Sequence, residues 1–567
     1  MYISDVAKAT GLSKKAIRFY ESKGLLGDIE RLENGYRDYK QKDIDDLLRI
    51  KRLRMAGIQV SDINLLFAGV VTTDELLEKR RRELEEQSGS YAEQFEAVKN
   101  LISKNNPLNV GEFIEEDIVI EDEGPFAVGL DIGTTSISAA LLSVSSKKQM
   151  EVYTLENSSR VAAKEGFMEF SPEIIVEKTE RLVNHILKTY KNVCSIGLTG
   201  QMHGVLYIDE GGKAVSNLIN WQDGRGNMPM PSGKTCVDEL YDLTGVRAAT
   251  GFGFVTHYYN AAYGLIPQNA VTFCSIMDYV GMRLCGITEP IIHNSVAASF
   301  SLFDIEANSF LESEIKKIEG FKLRLPSVTN DFAVLGEISG VPVAVAIGDN
   351  QASFLGAVKD LDNGLLINIG TGSQVSAVVD EPTKNQDTEI RPLIKGKYIL
   401  CGSALCGGRA YAALEKFFRS FTGSERTVYG RMNALLEQAF EDGTEALSVD
   451  TRFCGTRSDI SIRGAITGIS EEGFTPGALC LGVVKGICGE LYGLLPENVL
   501  SERQIVASGN AVKKIKILPQ VMSEVFKAPI MLPTLFEEAA VGAALFSLTA
   551  TGVADTTEWQ QYISYKE

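Results

Sequence analysis

The sequence predicts a multidomain protein in which a small helical, winged helix-turn-helix head and a coiled-coil helix precede a large α/β body of two related lobes. Three observations carry this expectation. A short motif occurs twice, as Leu130-Asp131-Ile132-Gly133-Thr134-Thr135-Ser136 and Ile367-Asn368-Ile369-Gly370-Thr371-Gly372-Ser373, each copy an apolar β-type run closed by a Gly-Thr turn. From Phe126 onward strands alternate with helices, as in Ala127 to Leu130, Ile137 to Val144, a helix from about Pro172 to Tyr190 and a strand from Ser195 to Thr199; that alternation is the α/β pattern. Charge is uneven: residues 1 to 57 carry 13 Lys/Arg against 9 Asp/Glu in a chain whose formal charge is −18.

Length and composition narrow the classes. A chain of 567 residues has room for three or four compact units. With 44% hydrophobic and 23% charged residues it reads as an ordinary globular protein. The most apolar stretch, Ala478 to Leu495, is broken by Lys485 and Glu490, and the start Met1-Tyr2-Ile3-Ser4-Asp5 has no basic or apolar leader, so a cytoplasmic location is expected. Nine cysteines without a Cys-x-x-Cys pair, and only four histidines, argue against a disulfide framework and a Cys/His zinc site. A basic head on an acidic body suggests that the head alone meets an anionic polymer.

The head begins with apolar residues at helical spacing from Ile3 to Thr10. Gly11-Leu12-Ser13 then supplies a turn with Ser13 as the cap of a second helix from Lys14 to about Lys23. That order is the helix-turn-helix pattern, and it places Lys14, Lys15, Arg18 and Tyr20 on the groove-entering helix. Asn34-Gly35 marks the tip of a hairpin whose return strand, Tyr36-Arg37-Asp38-Tyr39, puts Arg37 and Tyr39 on a wing suited to phosphate contact. The helices alone fit a solvated basic face equally well. The run Ile3-Ser4-Asp5-Val6-Ala7, Ile17-Arg18-Phe19-Tyr20-Glu21, Asn34-Gly35-Tyr36-Arg37 and Leu53-Arg54-Met55-Ala56-Gly57 closely resembles the MerR family of winged-helix transcription regulators, over residues 1 to about 70. Beyond it, Leu77, Leu84, Tyr91 and Val98 recur every seven residues, with Phe95 and Ile102 at the complementary position, a seam interrupted by Arg81, Ser88 and Gly89. Residues 71 to 104 therefore read as a dimerisation helix or as a surface helix packed on its own body. The resemblance implies an antiparallel pairing, hence a homodimer on duplex promoter DNA. Residues 105 to 125, with acidic Glu115-Glu116-Asp117 and Glu121-Asp122-Glu123, read as a linker.

In the body, a glycine turn lets backbone amides approach an anion while threonine and serine hydroxyls add donors, so each repeated motif reads as a phosphate-binding turn. The two copies bracket Ile347-Gly348-Asp349-Asn350. These turns, Asp349 and Ala507-Ser508-Gly509-Asn510-Ala511 resemble the FGGY carbohydrate kinases, which implies an actin-like, ribonuclease H-like fold in each lobe: 126 to 355 for the N-terminal one and 356 to 555 for the C-terminal one. Gln201-Met202-His203-Gly204, Trp221-Gln222-Asp223-Gly224-Arg225, Thr250-Gly251-Phe252-Gly253, Gly348-Asp349-Asn350-Gln351-Ala352-Ser353 and Ala539-Ala540-Val541-Gly542-Ala543-Ala544 resemble most the sedoheptulokinase branch of that family, then the xylulokinase branch.

The resemblance implies ATP, Mg²⁺ and a ketose. Asp349 would be the catalytic base, since a sugar hydroxyl needs a carboxylate to take its proton. Asp131 would hold Mg²⁺ through water. Thr134, Thr135 and Ser136 would face the γ-phosphate, Gly370 and Thr371 the β-phosphate, and Gly407, Gly408, Gly509 and Asn510 the nucleoside side. Met202, His203, Trp221, Asp223 and Asn350 match positions that contact or border the ketose. Lys513-Lys514-Ile515 departs from the family, which usually has a polar residue there. Two accounts of the whole chain follow: an active ketose kinase that also binds DNA, or a non-catalytic sugar-sensing regulator that uses a kinase-like body as its effector domain.

Overall fold

The structure, a computed structural model, describes every residue except 28, 32–36, 87–121, 383–387, 457, 458, 460, 502 and 567. It divides into two compact units: Met1–Gly124 with Tyr153–Leu155 and Lys178–Asn192, and Pro125–Val152 with Glu156–Glu177 and Val193–Glu567.

In the first unit, α1 (Ile3–Thr10) and α2 (Lys14–Ser22) flank a turn in which Gly11 takes φ 66° and the Ser13 hydroxyl caps α2 by accepting from Ala16 N at 3.1 Å. Helices α3 (Gln41–Met55), α4 (Val60–Phe67) and α5 (Thr73–Glu86) complete the head. Val6, Ile17, Leu25, Leu47, Ile50 and Ile63 fill one apolar core. An antiparallel bridge joins Arg31 to Arg37; the hairpin tip Asn34-Gly35 lies outside the described residues.

Three expectations for the head are corrected. Tyr20 and Tyr39 are 3% and 1% exposed, so both rings belong to the core rather than to a DNA-facing surface. The ring of Tyr39 packs in the head's apolar core, while its hydroxyl donates to Glu21 Oε2 at 3.2 Å. Arg37 is not free on the wing either, because its Nε donates to both Glu21 carboxylate oxygens at 2.6 and 2.8 Å. Leu77, the first seam position, is 2% exposed within the head's own core. The side chain of Leu84, residues Ser88, Gly89, Tyr91, Phe95, Val98 and Ile102, and the linker as far as Glu121 lie outside the described residues.

From Phe126 onward the chain is built on two sheets. The first comprises β1 (Phe126–Ile132), β2 (Ser136–Ser143), β3 (Gln149–Glu156), β4 (Val193–Gly200), β5 (Val334–Ile338) and β6 (Val341–Ala344), in spatial order β5-β6-β4-β1-β2-β3. Strand β1 runs antiparallel to β2 and parallel to β4. Strand β6 ends at Ala344, and Ile347–Gly348 makes a separate short pairing with β4. Helix α6 (Asp349–Ala357) follows.

The second sheet comprises β7 (Gly364–Ile369), β8 (Ser373–Val379), β9 (Thr388–Pro392), β10 (Tyr398–Ala404), β11 (Gln504–Ser508) and β12 (Ile530–Met531), ordered β9-β10-β8-β7-β11-β12. Strand β7 repeats the pattern of β1, antiparallel to β8 and parallel to β11. Helices α7 (Gly407–Thr422) and α8 (Pro476–Leu494) cover one face. Among the described residues α8 is the one helix with the length and apolarity to cross a membrane, but Leu481, Val484, Cys488 and Leu491 are buried in the lobe's core.

The lobes exchange helices. Phe354 and Leu355 of α6, which leaves the first sheet, pack with Leu366, Val378 and Ile399 of the second. Helix α9 (Glu538–Ala550), which leaves the second sheet, lies on β1 and β4 of the first. Glycine permits that approach: a Cβ on Gly129 would lie 2.7 Å from the Ala540 carbonyl carbon. Gly356 and Gly542 serve the same purpose where α6 crosses α9. Helix α9 is apolar on every side, as a helix enclosed by protein must be.

Candidate active site

Both Gly-Thr turns sit at the carboxyl ends of central strands, β1 and β7, where open α/β sheets bind ligands. In the first lobe the turn is tied down by Asn157, whose Nδ2 donates to Gly133 O at 2.8 Å and whose backbone N donates to Thr135 O at 2.9 Å. The Thr134 hydroxyl donates to Gln201 Oε1 at 3.4 Å and accepts from Trp221 Nε1 at 3.0 Å. Asn220 Nδ2 donates to the same Gln201 oxygen at 3.1 Å. One hydrogen-bonded unit thus joins the expected phosphate turn to Trp221, whose ring is 44% exposed. Thr135 is exposed and Ser136 opens β2.

His203 holds φ 70° on a non-glycine residue, a strained conformation that the surroundings must enforce. Its backbone N donates to Ser299 Oγ at 3.1 Å, its Nδ1 lies 2.9 Å from Ser299 O, and its ring stacks on Phe252 with centroids 4.2 Å apart. Beside it, Met202 is buried, its sulfur 2.6 Å from where a Cβ on Gly348 would be, so it packs against the Asp349 turn rather than facing an open cavity.

Two further expected sugar contacts turn inward. Asp223 is fully buried: its Oδ2 accepts from Met168 N at 2.8 Å, its Oδ1 accepts from Arg225 N at 3.0 Å, and the Arg225 guanidinium lies 3.3 Å away. Arg225 also donates to Asn260 and Glu169 and stands over the Phe167 ring. A buried carboxylate needs such partners, so this knot holds the segment that presents Trp221. Asn350 spends its Nδ2 on Gln374 Oε1 at 3.2 Å and Ser376 Oγ at 3.1 Å, both on β8. Together with Gln351 Nε2, which donates to Pro392 O at 2.9 Å, it fastens α6 to the second lobe.

Asp349 is the first residue of α6 after its cap Gly348, and its Oδ1 accepts from Asn350 N at 2.7 Å. Burial pushes its carboxyl above the ordinary range, and the positive charge of Arg391 pulls it back. Arg391 is buried on β9 and donates through Nε and Nη2 to Glu389 Oε2 at 3.2 and 2.6 Å. Asp131, near the end of β1, is pushed up to about 8, by burial first and then by Asp349 and Glu537. Glu537 caps α9 at φ 58°, a second strained non-glycine residue. These carboxylates are near enough to repel, yet among the described residues no group of three or more His, Cys, Asp or Glu is arranged to hold a metal ion directly.

Arg391 and Glu537 were not foreseen. An arginine set between Ile390 and Pro392 was one available signal; Glu537 stands two residues before the Ala539 to Ala544 motif.

In the second lobe three distant glycine segments meet. Gly408 N donates to Gly370 O at 2.9 Å and Arg409 N to Thr371 O at 3.1 Å. Gly509, at φ 96°, would bring a Cβ to 2.6 Å from Ile369 O, and a Cβ on Gly407 would meet the Gly372 carbonyl carbon at 2.8 Å. Asn510 is exposed at the start of the next helix, and Lys513 stands over the Phe536 ring and 3.8 Å from Glu538.

Residues 126–360 match the FGGY family of carbohydrate kinases, N-terminal domain, and residues 1–69 match the MerR HTH family regulatory proteins. The chain joins a MerR-type helix-turn-helix domain to an FGGY carbohydrate kinase. Human sedoheptulokinase is 27% identical over 485 residues, which cover 75% of this chain and 97% of that protein. The HTH-type transcriptional regulator CueR of Salmonella typhi is 52% identical over 62 residues, 11% of this chain and 45% of the regulator. The xylulose kinase structure from Rhodospirillum rubrum superposes with TM-score 0.66 at 19% identity, covering 78% of this chain and 93% of that one. The two-lobed FGGY fold of the kinase body is thus established.

Proposed function

We propose that the FGGY body transfers the γ-phosphoryl group of ATP to a ketose hydroxyl, and that the MerR head binds duplex promoter DNA as a homodimer. The observation that carries the first part is the approach of Asp349 to Asp131, near enough for its charge to add to burial in raising the Asp131 carboxyl, at the strand end that carries the first Gly-Thr turn. Such repulsion has a chemical use where a cation is to be bound and a proton taken.

In this reading Asp349 accepts the proton of the sugar hydroxyl as the phosphoryl group transfers. Arg391 favours the ionised form of that carboxylate, opposing the upward push of burial. Thr134, Thr135 and Ser136 bind the γ-phosphate, and Gly370 and Thr371 the β-phosphate, through backbone amides and hydroxyls. Gly407, Gly408, Gly509 and Asn510 line the nucleoside side. His203 and Trp221 wall the sugar, the former fixed by Phe252 and Ser299, while Asp223 and Asn350 act on that wall from behind. The donor set fits a magnesium ion held through water: Asp131, Asp349 and Glu537 bring carboxylates near one another without a direct chelating cluster among the described residues, and Asp131 is raised by burial and then by the other two. Mg²⁺, when bound, would neutralise charge on the transferring phosphates.

For the head, Lys14, Lys15 and Arg18 are exposed on α2, the helix that enters the groove in helix-turn-helix proteins. Sedoheptulose is the expected substrate, with xylulose second. The test is ADP release from ATP and Mg²⁺ with a panel of ketoses, with glycerol as control. Turnover on glycerol and on no ketose would overturn the substrate assignment.

A further inference from the structure

Nine cysteines are present, all reduced, and among them only Cys454 is exposed. Its sulfur lies 3.6 Å from that of Cys406, 48 residues earlier. Among the described residues no other two cysteines are in contact. Cys406 is 2% exposed and immediately precedes Gly407, as the cap residue of α7. Cys454 sits in a turn closed by Gly455 N donating to Arg452 O at 3.0 Å.

What Cys406 is attached to gives the pair its consequence. Gly407 and Gly408 are wedged against Ser373 and Gly370 without room for a methyl group, and Gly408 N and Arg409 N hold Gly370 O and Thr371 O. The start of α7 and the second Gly-Thr turn are therefore mechanically one piece. Joining the sulfurs requires them to close to about 2.05 Å, roughly 1.5 Å nearer than they stand, with a Cβ–S–S–Cβ angle near 90°. Any part of that movement made by Cys406 is passed to Gly370 and Thr371.

The geometry points to Cys406 and Cys454 as a redox-sensitive thiol pair whose oxidation to a disulfide weakens nucleotide binding. This rests on reading Gly370, Thr371, Gly407 and Gly408 as part of the nucleotide site. The oxidant is a hydroperoxide. The accessible Cys454 sulfur attacks the peroxide: an S–O bond forms, the O–O bond breaks and one water leaves. The Cys406 sulfur then attacks the Cys454 sulfenic acid: the S–S bond forms, the S–O bond breaks and the departing hydroxide leaves as water with the Cys406 proton. Two thiols and one hydrogen peroxide thus become one disulfide and two waters. Cys454 is the first to react because it is exposed, whereas Cys406 is buried and its thiol is pushed up to about 11 by burial and the neighbouring sulfur.

The test uses the full-length chain, reduced or treated with hydrogen peroxide, then alkylated and digested. A cross-linked peptide joining Cys406 to Cys454, released by dithiothreitol, is expected. Binding of a fluorescent ADP analogue should weaken about tenfold or more on oxidation, the loss of one charge-assisted contact. Cys454→Ser should bind ADP like the reduced protein before and after peroxide. Reduced protein that binds ADP but forms no cross-link, or that cross-links with unchanged affinity, overturns this proposal alone. Reduced protein that binds no nucleotide overturns the nucleotide-site reading and this proposal with it.

Discussion

Replacing Gly542 by alanine tests the helix crossing that joins the lobes. The added Cβ would stand 2.7 Å from the Ala352 carbonyl carbon and 3.0 Å from its Cα, with the carbonyl oxygen nearer still. Carbon atoms rest about 3.5–4.0 Å apart, so α6 and α9 must separate by about 1 Å. The obstacle is backbone on both sides, and no rotamer change relieves it. Separation also loosens the reciprocal seat, where a Cβ on Gly356 would stand 2.7 Å from Gly542 N and 2.9 Å from the Glu538 carbonyl carbon. Overpacking costs about 1–3 kcal/mol, and with no side chain able to yield the upper end applies. At about 2 °C per kcal/mol for a body of this size, Tm should fall by roughly 6 °C. Gly489→Ala is the control: it lies in α8 with nothing within 4 Å of its Cβ position, and the better helix residue should add about 0.5–1 kcal/mol. Thermal unfolding of the ligand-free proteins, followed by circular dichroism, measures both. If Gly542→Ala melts within 1 °C of the parent, or moves in the same direction as Gly489→Ala, the crossing is not the rigid joint described.

Four further outcomes are expected. Asp349→Asn should cut turnover by about 10² or more while sugar and ATP still bind, as measured by calorimetry beside the ADP assay; undiminished turnover shows that another group takes the proton. A parent protein that binds sugar without ADP release, yet changes its DNA affinity, is a sensor instead. Arg391→Met removes the charge that opposes burial at Asp349, so the acid limb of kcat/KM should move to higher pH, with Arg391→Lys restoring part of the difference; superimposable profiles contradict the role given to Arg391. Burial pushes His293 from 6.5 down to about 3, so the folded protein holds it neutral where the unfolded chain charges it. The stability it lends is present above pH 6.5 and is lost toward pH 3 at about 1.4 kcal/mol per pH unit, and His293→Gln should flatten that limb of a Tm-against-pH curve. In the head, Arg18→Ala should weaken DNA binding and make its salt slope shallower by about one, whereas Tyr39→Phe should leave the slope intact and lower head stability by about 1 kcal/mol through loss of the Glu21 hydrogen bond; equal slopes for the parent and Arg18→Ala contradict phosphate contact.

The two-lobed architecture was legible because its repeated unit is local: an apolar strand, a Gly-Thr turn and a return strand can be recognised in adjacent residues such as Asp131 to Ser136 and Asn368 to Ser373. The glycine segments at 370, 407 and 509 were legible for a related reason, since close backbone approach leaves glycine as its trace. Tyr20, Tyr39 and Leu77 were misread because an amphipathic side chain, or an apolar one at heptad spacing, looks alike whether it meets a partner or its own core. Asp223 and Asn350 carry polar groups whose direction is decided by the buried partners they find, Arg225 in one case and Gln374 with Ser376 in the other, and those partners lie in segments that sequence spacing does not relate. Arg391 meets Asp349 only because α6 docks on the opposite sheet.

That docking also bears on how the chain is made. On a ribosome the first sheet emerges early, but the helix that covers β1 and β4 is residues 538 to 550. Until residues 538 to 550 have been synthesised, the groove at Gly129 and Gly197 has no occupant and the apolar face around it stays open to water. The earlier lobe therefore cannot finish folding ahead of the later one, contrary to the usual order in which amino-terminal domains complete first. A nascent chain stalled before residue 538 should be held by chaperones and cut readily by proteases, and the same body should close in a single late step once α9 is released from the exit tunnel.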